Sequence, residues 1–129
     1  MSGPRYLLDT NVLIGFLGGA DWASSFFEHV SSMESELLVS TVTRMELLSF
    51  PDITVEEEQR IMALLAQLTK VAIDETVEEA AISIRRTARL NLPDAVIAAT
   101  ASTQKAVLVT ADDDFDRVAN LEVLHPNRS

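Results

Sequence analysis

At 129 residues and 47% hydrophobic, with a net charge of −10, the chain is long enough for one packed domain and too apolar for a disordered one. It has no cysteine, which excludes disulfides, thiolate catalysis and Cys-ligated zinc or iron–sulfur sites and suits a reducing cytoplasm. No apolar run approaches the ~20 residues that span a bilayer, and Asp9 and Asn11 interrupt the apolar stretch behind Arg5, so neither a membrane anchor nor a signal peptide is expected.

Tyr6-Leu7-Leu8 reads as a short buried strand ending at Asp9. An apolar helix from Thr10 to Leu17 follows, and Gly18-Gly19 stops it. Asp21 is the expected cap of a second helix, which carries Trp22, Phe26 and Phe27. Leu37-Leu38-Val39 is the next strand, entering a helix that carries Arg44 to Phe50 and stops before Pro51. Thr54 and Glu57 have the spacing of a capping box. The helix they open sets Ile61, Leu64, Leu65 and Leu68 at i, i+3, i+4 and i+7, one apolar stripe.

A third strand is expected from Lys70 to Ile73, then a helix from about Glu75 to Leu90 with Val77, Ala80, Ala81, Ile84 and Ala88 on one face. Pro93 stands where a first helical residue would. The helix behind it, Asp94 to Gln104, is apolar almost all round, as buried helices are. Val107-Leu108-Val109 is a fourth strand, Asp112 opens a short acidic helix, and Glu122-Val123-Leu124 makes a fifth, edge strand. Short apolar strands alternating with helices predict an α/β fold: a single domain over 1–129, with a central parallel sheet of four to five strands between two helical layers. No repeat or linker is visible. Glu56-Glu57-Glu58 and the residues after Pro126 are expected to be solvated surface and tail.

Four acids fall where such a sheet binds ligands. Asp9, Glu46, Asp94 and Asp112 each follow a strand-like run or sit in the opening turns of a helix-like one, which in a parallel sheet is the carboxyl edge. Each has an ordinary explanation taken singly. Asp9 resembles an N-cap. Glu46, three residues after Thr43, has the spacing to close a capping box. Asp94 and the Asp112-Asp113-Asp114 run suit the positive end of a helix dipole. Caps account for all four only if unrelated helices each chose an acid over Ser or Thr. Four carboxylates at one edge repel one another unless a cation joins them, and oxygen-only ligands select Mg²⁺ or Mn²⁺ over zinc or copper. Such ions activate water and stabilise the leaving oxygen of a phosphodiester. His29 and His125 lack paired ligand spacing and are assigned structural or surface roles.

The negative charge argues against a protein that grips nucleic acid mainly by charge, although metal ions reverse the sign locally. Arg85, Arg86 and Arg89, clustered at the end of a predicted helix, are the candidates for touching an RNA backbone; a solvated face balancing the acids is the equal alternative.

LLDTNVLI from Leu7, TVTRMELL around Glu46, LNLPDAVIAATA from Leu90 and VLVTADDDF from Val107 together resemble the PIN domain, and more narrowly the VapC-type ribonuclease toxins of prokaryotic toxin–antitoxin pairs. The likeness covers nearly the whole chain, in the right order. It implies a PIN-like three-layer α/β/α fold and a Mg²⁺- or Mn²⁺-dependent endoribonuclease, with Asp9 as central metal ligand and Thr10 and Asn11 shaping the turn beside it. Glu46 and Asp94 match the second and third acids of the family's site. The fourth falls in TADDDF: Asp112 aligns with the metal-proximal position, Asp114 with a second acid often found there, and Asp113 is a bystander. Thr110 is implied to orient water or phosphate. The implied reaction is hydrolysis of RNA by metal-activated water without a covalent intermediate. A cognate antitoxin, a homodimer and a cytoplasmic setting are implied with it.

Two rival readings remain. A haloacid-dehalogenase-like phosphatase also starts with a strand ending in Asp, but needs a second acid two residues later, where this chain has Asn11. A catalytically silent PIN fold that binds RNA or protein would use the acids only as caps.

Overall fold

The apolar runs pair as one sheet in the computed structural model, which describes residues 3–128. The strands are β1 (Arg5–Leu8), β2 (Glu36–Ser40), β3 (Thr69–Val71), β4 (Val107–Val109) and β5 (Val123–Leu124). They lie in the order β3-β2-β1-β4-β5, and every pairing is parallel. Leu7 of β1 stands opposite Leu38 on one side and Leu108 on the other. The helices are α1 (Thr10–Leu17), α2 (Asp21–Ser31), α3 (Thr41–Leu48), α4 (Val55–Leu65), α5 (Glu75–Ala88) and α6 (Leu92–Thr103), with a short 3-10 turn at Asp113–Arg117.

Side chains alternate across a strand, so the sheet separates two apolar layers. Leu7, Leu38 and Leu108 pack with Val77, Ala81, Ala98 and Phe115, the layer of α5, α6 and the 3-10 turn. Tyr6, Leu8, Val39 and Val109 pack with Leu13, Phe26, Leu47, Ile61 and Leu64, the layer of α1 to α4. The expected α/β/α arrangement is therefore the one observed. Among the described residues, no helix is long and apolar enough to cross a membrane.

Several boundaries differ from expectation, each for a local reason. Asp21 is the first residue of α2 rather than its cap; Ala20 holds that place without a side-chain bond. Helix α3 begins at Thr41, because Ser40 caps it by accepting from the Val42 N–H at 3.1 Å. Strand β3 is Thr69–Val71, in register with β2 from Leu38 to Ser40, and Ala72 and Ile73 lie beyond it. Helix α5 stops at Ala88 because Arg89 turns left-handed, with φ 59°. Helix α6 starts at Leu92, so Pro93 is its second residue, and Asn91 caps it. The Thr54–Glu57 capping box forms as its spacing predicts. Asn127 and Arg128 are exposed, as expected of the tail, and Arg128 pairs with Asp113 and Asp116; Ser129 lies outside the described residues.

The topology decides where a ligand can sit. From β1 the chain moves outward to β2 and β3, then returns to place β4 on the other side of β1. The carboxyl ends of β1 and β4 therefore flank a switch point, the crevice where such sheets bind ligands. Asp9 and Thr110 are the first residues beyond those two strands.

Candidate metal centre

Asp9 leaves β1 in extended conformation and caps α1: Oδ1 accepts the Thr10 N–H at 2.8 Å. Oδ2 accepts from the Thr110 hydroxyl at 2.7 Å and from Asn11 Nδ2 at 3.0 Å. The Asp9 N–H donates to Val109 O at 2.9 Å, which carries the β1–β4 pairing into the site. Asn11 Oδ1 accepts the Ala111 N–H at 3.0 Å, and Thr110 Oγ1 accepts the Asp112 N–H at 3.0 Å. Capping and a place in the cleft are not alternatives here. The same side chain does both.

The other acids arrive from separate elements. Glu46 lies in the second half of α3, not in an opening turn, and its Oε1 accepts from the Thr10 hydroxyl at 2.6 Å. It closes no capping box, since Ser40 is the cap and buried Thr43 the third helical residue; the Thr43 hydroxyl instead stands 3.1 Å from that of Thr10. Asp94 is the third residue of α6, with its N–H donated to Asn91 Oδ1 at 2.9 Å. Asp112 caps the 3-10 turn, its Oδ1 accepting the Asp114 N–H at 2.9 Å. Asp9, Glu46, Asp94 and Asp112 line one open cleft of about 490 Å³ together with Thr10, Asn11, Ile14, Ser49 and Phe50.

The electrostatics follow from burial first and from this crowding second. Burial pushes the Asp9 carboxyl up to about 6; the Thr110 hydroxyl and Thr10 N–H oppose the rise, and the Asp94 and Glu46 carboxylates add to it. Asp94 is also raised, by burial first and then by the carboxylates of Asp112, Glu46 and Asp114. Among the described residues, no Lys or Arg lines the cleft. Four acids share this cleft, two of them, Asp9 and Asp94, resisting ionisation, and together they form a hard-oxygen donor set that fits Mg²⁺ or Mn²⁺.

The remaining residues fall outside the cleft lining. Asp114 is exposed, within Coulombic reach of Asp94, and 3.8 Å from Arg117. Thr110 is fully buried and gives its hydroxyl to Asp9, so it is placed to hold the carboxylate rather than a water or phosphate. Arg85, Arg86 and Arg89 are exposed where α5 gives way to α6. His29 is exposed on α2. Asp113, Asp116 and His125 bring ligand atoms within 4.8 Å of one another, but Arg128 pairs both of these acids and supplies their positive charge. Asn91 is the cap of α6, and an Asn three residues before Asp94 is a legible helix-start signal. Ile14, Ser49 and Phe50 carry no such signal, and only the fold brings them to the rim.

The family model described as the PIN domain matches residues 6–121. The chain belongs to the PIN domain family. This PIN domain is similar to a toxin–antitoxin complex structure from Klebsiella pneumoniae, at 28% identity and a TM-score of 0.79, covering 96% of this chain and 99% of that one. VapBC-1 from nontypeable Haemophilus influenzae gives a TM-score of 0.84 at 23% identity, with 96% and 99% of the two chains covered. DNA-bound VapBC from Salmonella typhimurium gives 0.74 at 22%, covering 95% and 98%. No curated protein sequence matches the chain. The last two likenesses speak to the fold, and all three span the PIN domain nearly end to end.

Proposed function

We propose that this PIN domain is a Mg²⁺- or Mn²⁺-dependent endoribonuclease and the toxin of a VapBC-like toxin–antitoxin pair. The convergence of four carboxylates from four separate elements on one cleft, with no basic side chain among the described residues lining it, carries the reading. Asp9, Asp94 and Asp112 would hold the ion, with exposed Asp114, two residues beyond Asp112, as a further ligand; Glu46, tied to Thr10, would complete the catalytic set. A bound ion activates water and offsets the charge of the scissile phosphate. The chain's own residues supply order. Thr10, Asn11 and Thr110 fix the Asp9 carboxylate through three hydrogen bonds, which leaves it little freedom to reorient as charge changes nearby.

The similarity to structures named as toxin–antitoxin complexes supports a cognate antitoxin as partner. The charge of −10 complements a basic segment of such a partner. A homodimer and a cytoplasmic setting belong to the same proposal. Calorimetry tests the ion first: wild type takes up Mn²⁺ and Asp9→Asn does not. A folded wild-type protein that binds none would overturn the metal reading.

The arginines at the end of α5 are proposed to touch the RNA backbone, since Arg89 precedes Asp94 by a short loop and all three are exposed. Replacing Arg85, Arg86 and Arg89 with Gln is expected to weaken RNA binding and flatten its salt dependence by up to about three counterions' worth of slope. An unchanged slope in a filter-binding series would return them to ordinary surface that complements the helix dipole.

A further inference from the structure

His125 follows β5 directly, and its side chain is only 7% exposed although it lines no part of the carboxylate cleft. Its ring has polar partners at both nitrogens. Nδ1 donates to the Thr110 carbonyl at 2.9 Å, and Nε2 lies 2.8 Å from Asp116 Oδ1. These contacts reach two segments joined to candidate ligands. Thr110 follows β4 and bonds to Asp9, while Asp116 belongs to the 3-10 turn that Asp112 caps and that holds Asp114.

Thr110 is the junction. Its N–H donates to Leu124 O at 3.0 Å, its carbonyl accepts from His125, and its hydroxyl donates to Asp9 Oδ2 and accepts the Asp112 N–H. All its polar atoms are engaged, and its three side-chain bonds, the third accepted from Asn11 Nδ2 at 3.3 Å, go straight to cleft residues. We infer that His125 is a positioning residue for the cleft: by bridging the Thr110 carbonyl and the 3-10 turn, it holds Asp9 and Asp112 in one register. This rests on the proposed metal reading only for its functional consequence. A cation site at Asp113, Asp116 and His125 is the competing use of the same ring. Arg128 already pairs with both acids there, and the Nδ1 hydrogen is committed to a carbonyl.

Three substitutions separate the two ring contacts. Asn places an amide nitrogen where Nδ1 stands, Gln places one near Nε2, and Phe fills the space with neither. The reporters in the metal-free protein are the Ala111 and Asp112 amides, which bond to Asn11 Oδ1 and Thr110 Oγ1. Hydrogen exchange of these two amides is expected to rise about tenfold or more in His125→Phe, relative to Leu7 and Leu38 in the central strands. Mn²⁺ affinity by calorimetry is expected to fall about 10- to 100-fold, the usual effect of removing a partner behind a metal ligand. His125→Asn should restore most of both, and His125→Gln much less. Uniform acceleration of all amides, no acceleration, or an unchanged Mn²⁺ affinity would each overturn the inference. So would equal behaviour of the Asn and Phe variants. If wild type binds no Mn²⁺, the metal reading fails alone, and the exchange pattern with its rescue by Asn still decides whether His125 orders the cleft.

Discussion

The Asp94→Asn variant is expected to lose RNA cleavage by more than about 100-fold while unfolding at the same temperature as wild type or higher. The loss follows because a neutral amide is a poor ligand for a hard cation, and removing a ligand costs more than the ~10- to 100-fold typical of a residue behind one. The gain in stability follows from crowding. Burial and the carboxylates of Asp112, Glu46 and Asp114 all resist the charge on Asp94, so Asn relieves a repulsion in the metal-free protein. The Asn91 cap survives, because it accepts from the backbone N–H of residue 94 and not from its side chain. An acid serving only the dipole of α6 predicts the reverse: intact activity, and a loss of about 0.3–1 kcal/mol. Cleavage assays and thermal melts on one preparation separate the two.

Metal-free protein is expected to become less stable as pH rises from 4 to 7. The Asp9 carboxyl has an ordinary value of 3.8 and is raised to about 6 in the fold, so the folded state holds that proton more tightly than the unfolded chain. The stability from this group is thus fully present below about pH 4 and is lost as pH climbs through about 6. Roughly two pH units correspond to about 3 kcal/mol. Asp94 is shifted in the same direction, whereas exposed Glu57, lowered by its bonds to Thr54, works the other way. The difference between wild type and Asp9→Asn isolates the Asp9 share. Saturating Mn²⁺ should reverse the trend, because the ion requires ionised ligands; at 100 times its Kd it adds about 2.7 kcal/mol. Denaturant titrations from pH 4 to 7, with and without Mn²⁺, measure this. A difference between the two proteins that does not vary with pH would contradict the assignment of Asp9 as the strained carboxylate.

What was legible in the chain came from signals that are local. Tyr6 to Leu8 and Val107 to Val109 are apolar runs each followed by polar residues, so both strands and the edge they end on could be read directly. Thr54 and Glu57 announce their helix by spacing alone. The errors lie where tertiary geometry or a single backbone angle decides. Arg89 adopts a left-handed φ without being glycine, so nothing in composition marks the end of α5. The spacing of Thr43 and Glu46 suggests a helix start, yet Glu46 enters from the second half of α3, and only the packing of α3 against α1 brings it to Thr10. His125 looked like an isolated histidine because its partners, Thr110 and Asp116, are joined to it through the β4–β5 pairing and a turn rather than through sequence spacing. Asp9 and Asp112 are legible because strand ends predict a common edge, whereas α6 and α3 carry Asp94 and Glu46 to it. The detail of which atoms hold Asp9 required the fold.

The most direct test of the central claim is to map new RNA 5′ ends after incubating purified, antitoxin-free protein with total cellular RNA and Mn²⁺, beside Asp9→Asn and an EDTA control. The account predicts discrete cuts that disappear in both controls. Cuts that persist in Asp9→Asn or in EDTA would contradict a metal-dependent site at this cleft, and a folded, Mn²⁺-loaded protein that makes no cuts would point to a PIN fold used for binding alone.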